Sequence, residues 1–220
     1  AAGRGGWPGC LPIWEVGEAV VAPLLREHGR VAVLMVDAMR ADLWLRLRDR
    51  LQAALPGRRL AERWAVVPEP TRSAESVASL YLGRRVAGGE VAGPGDLPRP
   101  FVHLGAPSAA LMGADGEGRG AEVRERWRSG PALTVVVATG VDERLHRSPV
   151  ELTDLLDECV AGLERRVLPT LETLPGDVPL VVLADHGFRE NRSWGRASEA
   201  RYAHGGPSLE ESVVPVVTMV

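Results

Sequence analysis

The segment VVLADHGF, residues 181–188, carries an apolar run into Asp185 and His186 and then turns at Gly187. A solvated loop would be served as well by Ser or Asn. A carboxylate beside an imidazole instead offers two metal-ligating or acid–base groups at the mouth of a strand. Other stretches end the same way. RVAVLMV (30–36) runs into Asp37, and WAVV (64–67) into PEPTRSAES, with Thr71 and Ser73 at a helix start. PALTVVVAT (131–139) runs into GVDERLH, where Asp142 and His146 stand four residues apart. YAHGGPS supplies His204 before the last apolar run.

Each of these has an ordinary explanation when taken alone. An Asp after a strand is often a helix cap, and Ser73 could simply cap the helix it precedes. A single Asp–His pair is a poor metal signal. His204 beside Gly205 and Gly206 reads as a turn histidine. What unites them is their place. Ligands of open parallel α/β sheets bind beyond the carboxyl ends of the strands, and all of these residues fall there. Oxygen and imidazole groups converging on one rim mark a metal or catalytic centre. His28, in the last turn before Gly29, and His103, in a Gly-rich stretch, lie outside the pattern and read as structural.

The elements that must carry this rim alternate along the chain. WEVGEAVVAPLLREHGR (14–30) reads as a leading helix stopped at Gly29. RVAVLMV is a short, unbroken apolar run, as a buried parallel strand requires. ADLWLRLRDRLQAAL (41–55) spaces its apolar residues at three and four, the pattern of an amphipathic helix. Strands are expected at 64–67, 131–139, 178–184 and 212–220, with Pro215 pushing the last towards an edge. Helices are expected at 73–83 and 149–173. The Gly-, Pro- and charge-rich stretch 84–130 reads as an insertion or lid holding one short segment, PFVHLG. The alternation predicts an α/β fold, a mostly parallel sheet flanked by helices.

The 220 residues suffice for a single domain with a full core. A net charge of −3 gives no reason to expect a strongly basic nucleic-acid surface. The 26 basic residues are all Arg, with no Lys. Cys10 and Cys159 are too few and too far apart for a disulfide framework or a Cys-rich metal site. Apolar runs fall short of a membrane span, so no membrane partner is expected. The start lacks a signal-peptide core and lacks Met, so a cytoplasmic piece of a longer protein is expected.

The series VDAMR, PTRS, DERLH, ADHGF and HGG, in this order, resembles the alkaline phosphatase superfamily of two-metal phosphate-transferring enzymes. It is more closely similar to the PglZ domain, through PTRSAESVASLYLG and the closing YAHGGPSLEESVVPVV. The resemblance covers roughly residues 30–220, apart from 84–130. It implies a bacterial phage-resistance setting, other phage-defence proteins as partners, and an alkaline-phosphatase-like fold over 1–220. It also implies two metal sites. One would use Asp37, the nucleophile hydroxyl, Asp185 and His186; the other Asp142, His146 and His204. The family pattern PTxT has Thr where Ser73 stands; Ser73 is the favoured nucleophile and Thr71 the alternative.

Imidazole and carboxylate donors suit zinc, and also manganese, as the divalent ions. Arg72 and Arg189 are the candidate phosphate contacts, though a lone surface arginine reads first as solvent-facing. Three carboxylates and one alkoxide against two divalent ions leave a near-neutral centre, suited to a phosphodiester; the resemblance alone implies a nucleotide or oligonucleotide linkage. A sulfatase is excluded because Pro68 occupies the position that its CxPSR-type motif converts to formylglycine. A phosphomonoesterase, a phosphomutase and a metal-stabilised interaction domain remain the alternatives.

Overall fold

The continuous apolar runs become the middle of a sheet. The computed structural model describes residues 8–91, 93–191 and 200–220; the opening AAGRGGW lies outside the described residues. In chain order the strands are β1 (Cys10–Pro12), β2 (Val31–Val36), β3 (Leu60–Val66), β4 (Ser108–Leu111), β5 (Leu133–Ala138), β6 (Leu180–Leu183), β7 (Arg189–Glu190), β8 (Tyr202–Ala203) and β9 (Val213–Met219). The helices are α1 (Ala22–His28), α2 (Ala41–Ala54), α3 (Ser73–Leu82), α4 (Gly120–Ser129), α5 (Gly140–Leu145), α6 (Leu152–Arg166), α7 (Leu168–Leu171) and α8 (Leu209–Ser212). A seven-stranded sheet has the order β1-β3-β9-β6-β2-β5-β4, and β7 pairs with β8 in a small ribbon. β9 runs antiparallel to β3 and β6, while the remaining pairs of the large sheet are parallel. The fold is α/β, a mostly parallel sheet flanked by helices.

Burial explains which strands are legible. Every residue of β2, β5 and β6 is buried, so these strands show continuous apolar runs rather than alternation. β3 begins four residues before the expected WAVV, in the polar half LAER, where Glu62 accepts the indole N–H of buried Trp44 at 2.7 Å. α2 buries Leu43, Trp44, Leu47 and Leu51 along one stripe, as its spacing predicts.

Several boundaries differ from expectation, each for a local reason. The leading segment is not one helix: a 3-10 turn (Ile13–Glu15) and a π-type turn (Gly17–Val21) precede α1. Gly17 packs against His103 so closely that a Cβ would overlap the imidazole. Gly29, with φ of 71°, ends α1 where expected. The stretch 149–173 divides into α6 and α7, with Pro169 in the first turn of α7. Continuing α6 through that proline would lose a hydrogen bond and set its ring against a carbonyl.

The last strand is a correction. Pro215 argues for an edge, yet β9 lies inside the sheet between β3 and β6. Its partners on β6 begin at Val216, so Pro215 lies beyond that ladder and its missing N–H breaks no bond there. The stretch 84–130 also does more than the short segment PFVHLG suggests. It provides the edge strand β4, parallel to β5, and then α4, which packs on α7 and β5. Because β9 runs opposite to β2, β3, β5 and β6, the segment before it lies at the rim where those strands end.

Candidate metal centre

Asp37 follows β2, and Asp185 and His186 follow the neighbouring β6. Directly after Asp37 the backbone turns at Ala38 with φ of 62°, a left-handed conformation that costs an L-residue about 1–2 kcal/mol. Hydrogen bonding holds the turn. The Ala38 N–H donates to Asp185 Oδ1 at 3.2 Å, and the same oxygen accepts the His186 N–H at 3.0 Å. His186, fully buried, donates Nδ1–H to the Gly187 carbonyl at 2.8 Å. A carbonyl only accepts, so in the neutral ring Nε2 keeps its lone pair. That nitrogen stands 3.5 Å from both Asp37 Oδ1 and Asp185 Oδ2. Gly187 permits the turn, because a Cβ there would overlap the Glu210 carbonyl.

A second group forms beside the first. α5 presents Asp142, and His146 caps its C-terminus. The β7–β8 ribbon brings His204 back to the rim. His146 Nε2 and His204 Nε2 lie 3.3 and 3.4 Å from Asp142 Oδ1. The His204 Nδ1–H donates to the Thr71 carbonyl at 3.3 Å, so its Nε2 also faces inward. The His204 ring stacks on His186 with centroids 4.2 Å apart, which sets the two groups side by side. In each triplet the potential ligand atoms lie within 4.8 Å of one another. The groups differ in exposure: the His186 side chain is 0% exposed and that of His146 47%.

Ser73 is the first residue of α3, and its hydroxyl donates to His186 Nε2 at 2.8 Å. Thr71 is placed differently. Its buried hydroxyl donates to the Gly206 carbonyl at 3.1 Å and accepts the Gly205 N–H at 3.0 Å. Both hydrogen bonds go to the loop after His204. Glu211, also buried, grips the same loop, accepting the Gly206 N–H at 2.8 Å and the Ser208 N–H at 3.3 Å. Arg189, a candidate phosphate contact, directs its Nε to Glu211 at 3.3 Å. Arg72 is exposed at the N-cap of α3 and makes no side-chain cap there.

The structure therefore gathers Asp37, Ser73, Asp185 and His186, and beside them Asp142, His146 and His204. It sets Thr71 and Arg189 into the supporting loop contacts. Sequence reasoning missed Glu211 and the turn at Ala38. The motif Ser208-x-x-Glu211, a capping box at the start of α8, is the signal that could have found the former.

The electrostatics of the cluster fit a metal. Asp37 Oδ1 and Asp142 Oδ1 are buried without a hydrogen-bond partner. Burial pushes the Asp37 carboxyl up to about 10, with the charges of Asp185 and Asp142 adding to the shift. Burial also lowers His204, helped by the neighbouring His186. Among the described residues, the ion pairs of Asp37, Asp142 and Asp185 are with imidazoles alone. Facing carboxylates and inward lone pairs, with no Arg among the described residues paired to them, are costly unless a divalent ion binds there. Mixed carboxylate and imidazole donors suit such an ion.

No protein-family model matches the chain, and no curated protein matches it. Solved structures do. The C-terminal periplasmic domain of EptC from Escherichia coli aligns with a TM-score of 0.51 at 10% identity, over 86% of this chain and 71% of that one. The periplasmic domain of the phosphoethanolamine transferase EptC from Campylobacter jejuni gives 0.48 at 13% identity, over 86% and 78%. Murine ectonucleotide pyrophosphatase/phosphodiesterase 5 gives 0.48 at 14% identity, over 74% of this chain and 58% of that one. At such identity the likeness is one of fold alone, and the chain shares the fold of the Escherichia coli EptC domain. No helix among the described residues is long and apolar enough to cross a membrane.

Proposed function

We propose that this chain is a metal-dependent phosphodiesterase that works through a Ser73 nucleophile and two divalent ions, zinc first. One observation carries the reading. The Ser73 hydroxyl sits 2.8 Å from His186 Nε2, the atom around which the first ligand group is built, and the second group adjoins it through the stacked His186 and His204 rings. Asp37, Asp185, His186 and Ser73 would hold one ion, and Asp142, His146 and His204 the other. When bound, the ions would lower the pKa of the Ser73 hydroxyl and neutralise charge on the leaving oxygen. Ser73 Oγ would form the bond to phosphorus as the ester oxygen departs, and water would then hydrolyse the phosphoserine. The first turn of α3, uncapped by the Arg72 side chain, would offer its free N–H groups to the phosphate. Thr71 is assigned to holding the His204 loop, because both of its hydrogen bonds are spent there.

The preference for diesters rests on charge. Three carboxylates and an ionised Ser73 match two divalent ions, so little net positive charge remains for a dianionic monoester. The engagement of Arg189 by Glu211 supports this, leaving Arg72 as the candidate contact to a non-bridging oxygen. A nucleotide or oligonucleotide linkage, a phage-defence setting and defence-protein partners follow from the resemblance to PglZ domains and belong to this proposal. So does the cytoplasm, a reducing compartment that suits the free thiols Cys10 and Cys159. Matched aryl diester and monoester substrates, assayed with and without zinc or manganese, test the reading. Metal-dependent turnover with the higher kcat/KM on the diester is expected. A monoester preference would reassign the substrate class, and absence of turnover on both would favour an interaction domain.

A further inference from the structure

We propose that Asp115 is a positioning residue for the second ligand group, fixing the helix that carries Asp142 and His146. The inference rests on the two-metal reading. Asp115 belongs to the stretch 84–130 and to neither ligand triplet. Its buried carboxylate reaches α5 from outside: Oδ1 accepts the Thr139 N–H at 2.9 Å and Oδ2 the Gly140 N–H at 2.8 Å. These are the N-cap and first residue of α5, which has no side-chain cap of its own. The Thr139 hydroxyl is turned instead to Glu143 Oε1, at 2.9 Å.

The carboxylate is itself anchored. The Ala114 N–H donates to the Val137 carbonyl at 2.8 Å, and Arg166 donates to the Asp115 carbonyl at 3.1 Å. Asp115 is thereby tied to β5 on one side and α6 on the other. α5 has only 6 residues, well short of the roughly 12–15 at which a helix begins to hold by itself. Val141 and Leu145 bury one face of α5 against the core, and the Asp115 carboxylate fixes the position of its N-terminus, while the far end at His146 is half exposed. Gly140 supplies an independent sign. Its φ is not among the positive values, so backbone conformation does not demand glycine. Close approach does, because a Cβ would overlap Asp115 Oδ2.

Calorimetric titration of the metal-free protein with Zn²⁺, accompanied by thermal melts, tests this on wild type, Asp115→Ala and Gly140→Ala. Wild type is expected to take two equivalents. In Asp115→Ala one equivalent should bind as in wild type and the other about 10-fold more weakly, the low end of what losing a direct partner of a ligand costs, since Asp115 acts through the helix. Gly140→Ala separates the contact from helix propensity, since alanine is the better helix former. Propensity alone predicts a tighter second ion. The contact predicts a weaker one, with no added loss in the double variant. Asp115→Asn, which keeps the volume and one acceptor oxygen, should be intermediate and stands in if the alanine variant does not fold. An unchanged second equivalent, equal weakening of both, or tightening in Gly140→Ala overturns the proposal. A wild type that does not take two equivalents overturns the two-metal reading, and this inference with it.

Discussion

Two hydroxyls two residues apart, Thr71 and Ser73, illustrate how much a single side chain's surroundings decide. Ser73 faces an imidazole lone pair at the centre, whereas Thr71 is locked between two backbone groups of the His204 loop. Ser73→Ala is therefore expected to lower diester kcat/KM by about 10³-fold or more, with melting temperature and zinc uptake largely retained. Turnover equal to wild type would move the nucleophile elsewhere. Thr71→Val should act on stability instead. It leaves the part-buried Gly206 carbonyl and Gly205 N–H without this partner, which costs about 1 kcal/mol, the low end for an unpaired buried group, read by urea unfolding. Thr71→Ser, which keeps the hydroxyl, should recover most of that loss.

The rim is assembled from element ends, and its accuracy depends on how tightly those ends pack. β6 leads into Asp185–His186–Gly187, whose backbone lies against the segment before β9: the Gly187 N–H donates to the Glu211 carbonyl at 2.9 Å. Gly187→Ala forces a Cβ into the Glu210 carbonyl, a backbone atom that cannot step aside as a flexible side chain would. Overpacking of this kind typically costs about 1–3 kcal/mol, and the displacement falls on His186. The variant should show a lower melting temperature together with weaker zinc binding in calorimetry. Wild-type values for both would mean that the turn has more freedom than its contacts imply.

For the molecule as a whole, the centre couples folding to pH. The Asp37 carboxyl is raised from 3.8 to about 10, so between those values the folded chain holds a proton that the unfolded chain has released. The stability this contributes is complete below pH 3.8 and is lost as pH rises towards 10. His204 acts in the opposite sense. Its lowered value means that stability is lost as pH falls below 6.5, where the unfolded imidazole gains a proton first. Well above pH 6.5 the His204 contribution is complete and the Asp37 loss dominates, joined near pH 9 by the buried Cys159 thiol, which burial raises from 9.0 to about 12. Metal-free protein in chelator should therefore melt at lower temperature at pH 9 than at pH 7. Saturating zinc should reverse that slope, because metal binding to the deprotonated ligands strengthens as pH rises. A flat chelator profile from pH 7 to pH 9 would show that Asp37 is not held protonated.

The amino-acid sequence by itself determined the α/β alternation and the candidate ligands. Buried parallel strands leave unbroken apolar runs, and the chain direction of such a sheet sends every following residue to one rim. RVAVLMV, LTVVVA and LVVL could hardly be read otherwise, and Asp37, Asp142, Asp185 and His186 follow from where those runs stop. Tertiary structure alone decided the rest. Pro215 sits inside the sheet because β6 has already ended beside it, a matter of register between strands distant in the chain. SAAL becomes β4 through its neighbour β5, with no β-branched signature of its own. The separate placements of Thr71 and Ser73, the grip of Glu211 on the His204 loop and the reach of Asp115 to α5 all arise from contacts across more than one element. Local propensity has no information about such contacts, because the partner groups meet only when the sheet has brought its strand ends together.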